Sequence, residues 1–495
     1  MENTSRRNLN CLRWQICGLL VSSISAFFLI SYDILELIIQ ERMKMRPSLP
    51  FYEFWKEPPV PVKITTYLFA VTNHKEFLNG SESKLKIEEV GPIVYKRYIK
   101  QKDIVFDVNS TLSFTTEYEN YFDEENSAPG ILNKTIIIPS PVALTVASII
   151  NSKIDNYYIR KMYTFLLDNL RDDIFLNRTV YDCLWNLNTP VLSTVTIASK
   201  WFIPRTNGGM LFNALFPSKH RYNVNIGLDH GRENFFKINS LNNQENIPHQ
   251  NEKKDRCPFS LQGAFECTSF SPRISKTTAI NTYHPHICRT YPIVFKKETK
   301  CENLNCYEFE MKDDFFKRHN SSEGCYKMSN NVVVPDGLVD FSQCTYGVPI
   351  AVSQPHFLGF DGPWKDNIDG LKPDEEKHLS KYLIEPVMGV PIDLIGRIQS
   401  NMIMPKIHKS LDIHLDRFSE MVVPMFWLEV RFHMNDPFIL STLKIVIDIL
   451  PVVIPIVVVI LLVSAISFAV GIRSKLRSHK QYIYSLEQTR KSDVL

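Results

Sequence analysis

The sequence predicts an α+β protein held in a membrane at both ends, and three features carry that reading. Two apolar runs free of charged residues, Trp14 to Tyr32 and Ile449 to Ile472, stand at opposite ends of the 495 residues, and each is long enough to cross a bilayer as a helix. The block between them has the alternation of strands in its first half and changes to a helical period after Pro141. Eight of the ten cysteines fall in that block, as they would on the oxidising side of a membrane.

Taken in order, the chain should comprise a cytoplasmic tail over 1–13, a first span over 14–32, an extracellular or luminal domain over 33–448, a second span over 449–472 and a cytoplasmic tail over 473–495. Arg6, Arg7 and Arg13 precede the first span, and Arg473, Lys475, Arg477 and Lys480 follow the second, which places both termini in the cytoplasm. A cleaved signal peptide would explain the first run alone. Apolar residues continue through Ile34, Leu35, Leu37, Ile38 and Ile39, which favours a helix that carries on outward. Five glycan acceptors, Asn79, Asn109, Asn133, Asn177 and Asn320, lie between the spans, and Asn3 matches the same motif on the other side. Cys11 and Cys17 sit at the cytoplasmic end of the first span, with Cys11 a palmitoylation candidate.

Within the large domain, Lys63 to Thr72 is rich in β-branched and aromatic residues, Asn79-Gly80 reads as a turn, and Ile93 to Ile99 alternates. Val142 to Ile150 and Asn156 to Leu170 read as helices, the second with Ile159, Met162, Tyr163, Leu166 and Leu170 on one face. Its flank, with Tyr158, Phe165 and Leu167, is greasier than a solvated helix needs, which fits a buried helix or a docking surface. Lys153, Arg160, Lys161 and Arg171 decorate this segment, but Asp155, Asp168, Asp172 and Asp173 are interleaved, the pattern of a solvated face. Asn242 to Asp255, the most polar stretch, reads as a surface loop. Lys372 to Glu376 opens another helix, with Pro373 suited to its first position and the acids to the positive end of its dipole.

The net charge of +3 is small and spread out, so no nucleic-acid partner is expected. The chain has no GxSxG elbow, HExxH, GxxxxGK[ST] or dinucleotide fingerprint; an enzyme is disfavoured and no cofactor is expected. Cys301 and Cys306, with His284 and His286 near Cys288, raise the question of zinc. Paired CxxC motifs are absent, and an oxidising setting favours disulfides, so no metal is expected either.

Several stretches together resemble a known family. They run from Trp55 to Pro61, then Tyr67, Phe69, Thr72-Asn73, Gly80, Glu89-Val90-Gly91-Pro92, Phe122 to Gly130, Arg178-Thr179 to Trp185, Val224 to Gly227 and Cys288-Arg289. The densest part is Gly337 to Cys344, Pro355-His356-Phe357-Leu358, Asp369-Gly370-Leu371, Glu385-Pro386 with Gly389, and Val423-Pro424 with Trp427. The chain resembles, over essentially its whole length, the class B scavenger receptors: the family of fatty acid translocase, the high-density lipoprotein receptor, lysosomal integral membrane protein type 2 and sensory neuron membrane proteins. Read physically, these motifs are scaffold. Gly91-Pro92 and Gly337 suit turns, Pro355 and Pro386 extended segments, Trp427 a core anchor, and His356 a hydrogen-bonded structural role.

The resemblance implies a β-rich ectodomain with an apical helical bundle, here about 142–187, and an internal hydrophobic tunnel. It makes Lys153, Arg160, Lys161, Phe165 and Arg171 candidate ligand contacts, although their mixed charge weakens the case for a strongly anionic ligand. It also implies, within the disulfide-rich part 257–344, bridges Cys257–Cys325 and Cys288–Cys344. The family's third bridge loses its usual positions to Lys327 and about Val333, and Cys301–Cys306 offers a local substitute; Cys183 and Cys267 remain, paired together or buried as thiols. Leu228 and the stretch Leu261 to Phe265 depart from the family's pattern. The implied partners are lipids, fatty acids, sterols or lipoproteins and the bilayer, with a protein-binding role as lysosomal cargo, chemosensory or adhesion receptor as the alternative. Asp493-Val494-Leu495 has the form that PDZ domains capture by strand addition. Neither tail carries an acidic dileucine signal, and neither Tyr482 nor Tyr484 has a bulky apolar residue three positions on, which favours the plasma membrane over the lysosomal membrane.

Overall fold

A computed structural model describes the chain except for Met1, Ser48 and residues 154–155, 159–160, 162–173, 188–208, 212–219, 247–259, 285–288, 313–314, 318–327, 329–331, 346–347, 408–414 and 493–495. The chain forms two compact units, one made of Met1–Arg42 with Pro437–Leu495 and the other of Met43–Asp436.

In the first unit the helices Glu2–Ser31 and Leu450–Ser492 pack along each other. Gly18 allows that approach, since a Cβ there would lie 2.6 Å from the Phe468 ring. The parts long and apolar enough to span are Asn10–Ser31 and Pro437–Ser485. Both start ahead of the charge-free runs and the second also ends beyond its run, because helical hydrogen bonding does not stop where hydrophobicity does. The expected outward continuation is a separate helix, Ile34–Met43, which starts where the Asp33 carboxylate accepts the Glu36 N–H at 3.1 Å.

The second unit rests on strands β1 Val62–Val71, β2 Leu85–Asp107, β3 Thr111–Phe122, β4 Thr135–Pro139, β5 Phe175–Thr179, β6 Arg221–Asn225, β7 Ile238–Leu241 and β8 Ile280–His284. They continue with β9 Arg289–Cys301, β10 Leu304–Met311, β11 Val339–Asp340, β12 Ile350–Ser353, β13 Ile368–Asp369, β14 Lys381–Glu385, β15 Val390–Ile403 and β16 Val422–His433. The main path of the large sheet is β7-β6-β3-β2-β1-β16-β15-β14-β10-β9-β8, while β4 and β5 pair apart. Its two ends meet through Phe265, which bridges to Lys237 beside β7 and to Thr282 of β8. Backbone N–H groups of Ile238, Phe265 and Tyr283 donate to the carbonyls of Ala264, Asn281 and Phe265 across this seam. The sheet thus returns on itself, pairing edges that would otherwise stay open, and the stretch Leu261 to Phe265 is the piece that closes it.

Alternate residues of β1 serve opposite faces, as the period of two requires. Phe69 and Val71 join a core with Phe77, Met402, Val423 and Trp427. Ile64, Leu68 and Ala70 join another with Ile93, Leu184 and Leu428.

Strand β1 and the helix Pro141–Lys153 fall where expected, whereas most of Asn156 to Leu170 lies outside the described residues. Ile93 to Ile99 is the middle of the 23-residue β2. Gly91 is not in a turn but inside that strand, where a Cβ would sit 2.9 Å from the Thr66 carbonyl, beside the bulge between Thr66 and Leu68. Asn79-Gly80 ends the helix His74–Asn79, with Gly80 its left-handed cap at φ 81°. Asp374 caps the single turn Glu375–His378 by accepting the N–H groups of Glu376 and Lys377, so Pro373 precedes the cap instead of filling the first helical position. Pro355 does not extend the chain but opens the 3-10 turn Pro355–Phe357, with His356 and Phe357 at φ 52° and 57°.

Candidate functional site

Of the candidate ligand contacts, Lys153 ends the helix Pro141–Lys153 and Lys161 is exposed, its Nζ 5.8 Å from the Tyr157 ring centroid. Arg160, Phe165 and Arg171 lie outside the described residues, so the apical site is not assembled here. Asn79, Asn109, Asn133 and Asn177 are all exposed, and Asn320 lies outside the described residues. Cys301 and Cys306 are bonded across the β9–β10 turn. The pairs Cys257–Cys325 and Cys288–Cys344 involve Cys257, Cys288 and Cys325, which lie outside the described residues. Cys183 is a buried thiol, Cys267 a half-buried one, and Cys11 an exposed one.

Three of the quoted motifs converge on one polar cluster. His356 Nε2 donates to Glu89 Oε1 at 2.7 Å, and the Trp427 indole N–H donates to the same oxygen. His356 Nδ1 accepts the Lys372 N–H at 3.0 Å, and its own backbone N–H donates to Gln399 Oε1 at 2.7 Å. His378 stacks on His356 at 4.6 Å, and its Nδ1 accepts the Asp374 N–H at 2.9 Å. Trp427 in turn stacks on Tyr67 at 4.3 Å. Burial, then the neighbouring His356, pulls the pKa of His378 down to about 4. Burial raises that of Glu89, but the hydrogen bonds from His356 and Trp427 outweigh it and leave the carboxyl below its ordinary value.

Glu89, His356 and His378 offer donor atoms within 4.8 Å of one another, close enough for a metal to bridge. The hydrogen bonds argue for a different role. With Nδ1 accepting a backbone N–H, each neutral imidazole carries its proton on Nε2 and has no lone pair left to give. The cluster is a clasp that ties the 355–378 segment to β2, β15 and β16.

A second cluster belongs to the wall and seam of the closed sheet. Arg97 of β2 lies 4.7 Å from the Tyr118 ring of β3. Tyr118 senses Arg97 and Glu266. Tyr222 of β6 senses Tyr118, Tyr283 of β8, Glu266 and Cys267. Tyr291 of β9 and Tyr382 of β14 hydrogen-bond each other, and both interact with Cys267. Only closure through Phe265 puts β6 beside β8. Burial pushes Tyr118 and Cys267 up to about 12 and Glu266 up to about 8, and pulls Arg97 down to about 10. At neutral pH this cluster therefore combines a guanidinium cation with a largely protonated carboxyl, tyrosine hydroxyls and a thiol.

Motif reading marked Glu89, His356 and Trp427 as separate scaffold pieces; their common signal was membership of the resembling stretches. His378, Arg97, Tyr118 and Glu266 carried no local signal, since each depends on pairings distant in sequence.

A sequence model of the CD36 family matches residues 15–474. Scavenger receptor class B member 1 of Sus scrofa is 23% identical over 425 residues, covering 83% of this chain and 78% of that protein. Lysosome membrane protein 2 of Rattus norvegicus is 27% identical over 395 residues, with coverages of 79% and 78%. Sensory neuron membrane protein 1 of Apis mellifera is 25% identical over 423 residues, with coverages of 81% and 78%. With its two span-length helices, its large closed sheet and a family match over nearly its whole length, this chain belongs to the CD36 family.

Proposed function

We propose that the protein is a two-span receptor of the plasma membrane that binds lipids or lipoproteins outside the cell and passes apolar lipid to the bilayer through the inside of its closed sheet. No catalytic step is needed. The observation that supports this reading is the closure of the large sheet through Phe265, which gives the sheet an inside. Glu266 and Cys267, next to Phe265 in that seam, are half-buried, and burial raises the pKa of both. The reading places the cargo in the space inside the closed sheet. An apolar cargo in such a space avoids a hydration cost of about 0.8 kcal/mol per CH2.

The test is to fill the space. Ile99→Trp and Val430→Trp enlarge half-buried side chains that pack against the core containing Leu428. Cellular uptake of a labelled fatty acid or cholesteryl ester should fall several-fold at unchanged surface expression and ligand binding. Uptake that survives both substitutions overturns the passage.

A protein-binding role is the second reading. It is favoured by Tyr157 and Tyr158, 49% and 80% exposed beside Lys161. Their replacement by serine would abolish partner binding and leave uptake of free lipid intact.

A further inference from the structure

The end of the sheet from which the chain leaves for its apolar helices can be located by register alone. Strand β16 runs out at His433, shortly before the helix that begins at Pro437. Arg431 pairs with Lys63 of β1, and Lys63 pairs with Lys96 of β2. β2 runs in the same direction as β16 and continues from Lys96 to Asp107, where it turns and comes back as β3. At about 3.3 Å per residue, its hairpin extends on the order of 30 Å past the level of that pairing, toward the side where β16 ends.

The other connection lies at the same place. The Gly227 N–H donates to the Met43 carbonyl at 2.7 Å, and the Ile226 N–H to the Ser110 carbonyl at 2.9 Å. His230 Nε2 lies 2.7 Å from the Asn109 carbonyl, and Ser110 Oγ is bonded to Asp229. The hairpin turn, the 226–231 turn and Met43, the last residue of the helix Ile34–Met43, are therefore one hydrogen-bonded assembly. Among exposed Asp107, Asn109, Asp229 and His230, four apolar side chains also face outward: Val105, Phe106 and Leu228 are 45%, 42% and 42% exposed, and Val108 at the tip is completely so.

We propose that the tip of the β2–β3 hairpin, with Val105, Phe106, Val108 and Leu228, is a membrane contact of the large unit, seated in the interfacial region of the bilayer. Apolar side chains on a rigid turn at the membrane-facing end gain by leaving water for that region. The proposal depends on the two spans and is independent of lipid passage. It also separates Asn109 from the other exposed sequons: a glycan next to Val108 would hold the tip in water, so Asn109 should stay unmodified while Asn79, Asn133 and Asn177 remain open to modification.

The experiment uses the full chain in phosphatidylcholine nanodiscs, with Cys11→Ala and Cys17→Ala to remove exposed thiols. Val108→Cys, or Tyr158→Cys as a water-exposed comparison, then carries an environment-sensitive fluorophore. Val108 is wholly exposed, so its replacement leaves the fold alone. The expected result is blue-shifted emission at position 108, quenched at least twofold by spin-labelled lipid, against water-like and unquenched emission at 158. Water-like emission at 108, or emission shielded from aqueous iodide yet insensitive to spin-labelled lipid, which would point to a protein partner, overturns the proposal. So does a glycan at Asn109 in protein from a secretory host.

Discussion

His356 Nε2 donates to Glu89 Oε1 at 2.7 Å across 267 residues of sequence, and the other ring nitrogen already accepts the Lys372 N–H. His378 repeats the pattern with Asp374. A second proton on either ring would set a donor against a backbone donor.

That arrangement predicts acid sensitivity. The pKa of His378 is pulled down to about 4 in the folded protein, by burial and then by His356, from about 6.5 when unfolded. A depressed histidine contributes stability that is present above 6.5 and lost as pH falls toward 4, because only the unfolded state gains the proton readily. Between pH 7 and 5 the loss should be about 2 kcal/mol. Thermal unfolding of the full chain should shift downward over that interval, and His378→Asn should flatten the shift. An equal shift in both proteins would remove His378 as its source.

Backbone conformation sets a second expectation. His356 sits at φ 52°, a region that asparagine tolerates and β-branched residues resist. His356→Asn should lose mainly the side-chain hydrogen bonds, whereas His356→Val adds strain of roughly 1–2 kcal/mol. Denaturant midpoints that rank valine at or above asparagine would contradict this account.

What could be read in advance was local or motif-borne. β1 and the helix Pro141–Lys153 follow from composition and period, and both span-length helices follow from apolar length. Closure of the sheet could not be read, because Phe265 joins Lys237 to Thr282 through isolated bridges that leave no periodic trace. For the same reason Glu89, His356 and His378 looked unrelated: their contact is set by the register of β2 and by the 355–378 turns. The expected turn at Gly91 failed because close approach to Thr66, not positive φ, demands a glycine there.

The Cys301–Cys306 bridge closes a short loop between β9 and β10, which already pair beside it, Leu304 with Cys301. Chain entropy puts an upper estimate of about 2 kcal/mol on its contribution. Cys301→Ser with Cys306→Ser should therefore lower Tm by a few degrees without loss of expression. In the native chain, non-reducing peptide mapping should join Cys301 to Cys306, and also Cys257 to Cys325 and Cys288 to Cys344. A link from Cys301 to a distant cysteine would refute the first assignment.

Sidedness is tested by glycopeptides. Asn79, Asn133 and Asn177 are exposed on the large unit, and the charge flanks of the proposed spans predict that this unit lies outside. Glycans are expected at these sites and none at Asn3. A modified Asn3 would invert the topology.

Glu266 reports on the desolvation of the seam. Burial lifts its carboxyl to about 8, so folding holds it neutral over a range where the unfolded chain ionises it above about 4.5. A raised carboxyl penalises the fold increasingly as pH climbs from 4.5 toward 8, at up to about 1.4 kcal/mol per unit. Glu266→Gln keeps the shape and removes the ionisation. The variant should match the parent near pH 4.5 and exceed it by on the order of 2–3 kcal/mol at pH 7, measured by denaturant unfolding at both values. An advantage that does not grow with pH would mean that Glu266 is bathed in bulk water. The desolvated seam would then lose its support, independently of the uptake test of the proposed lipid passage.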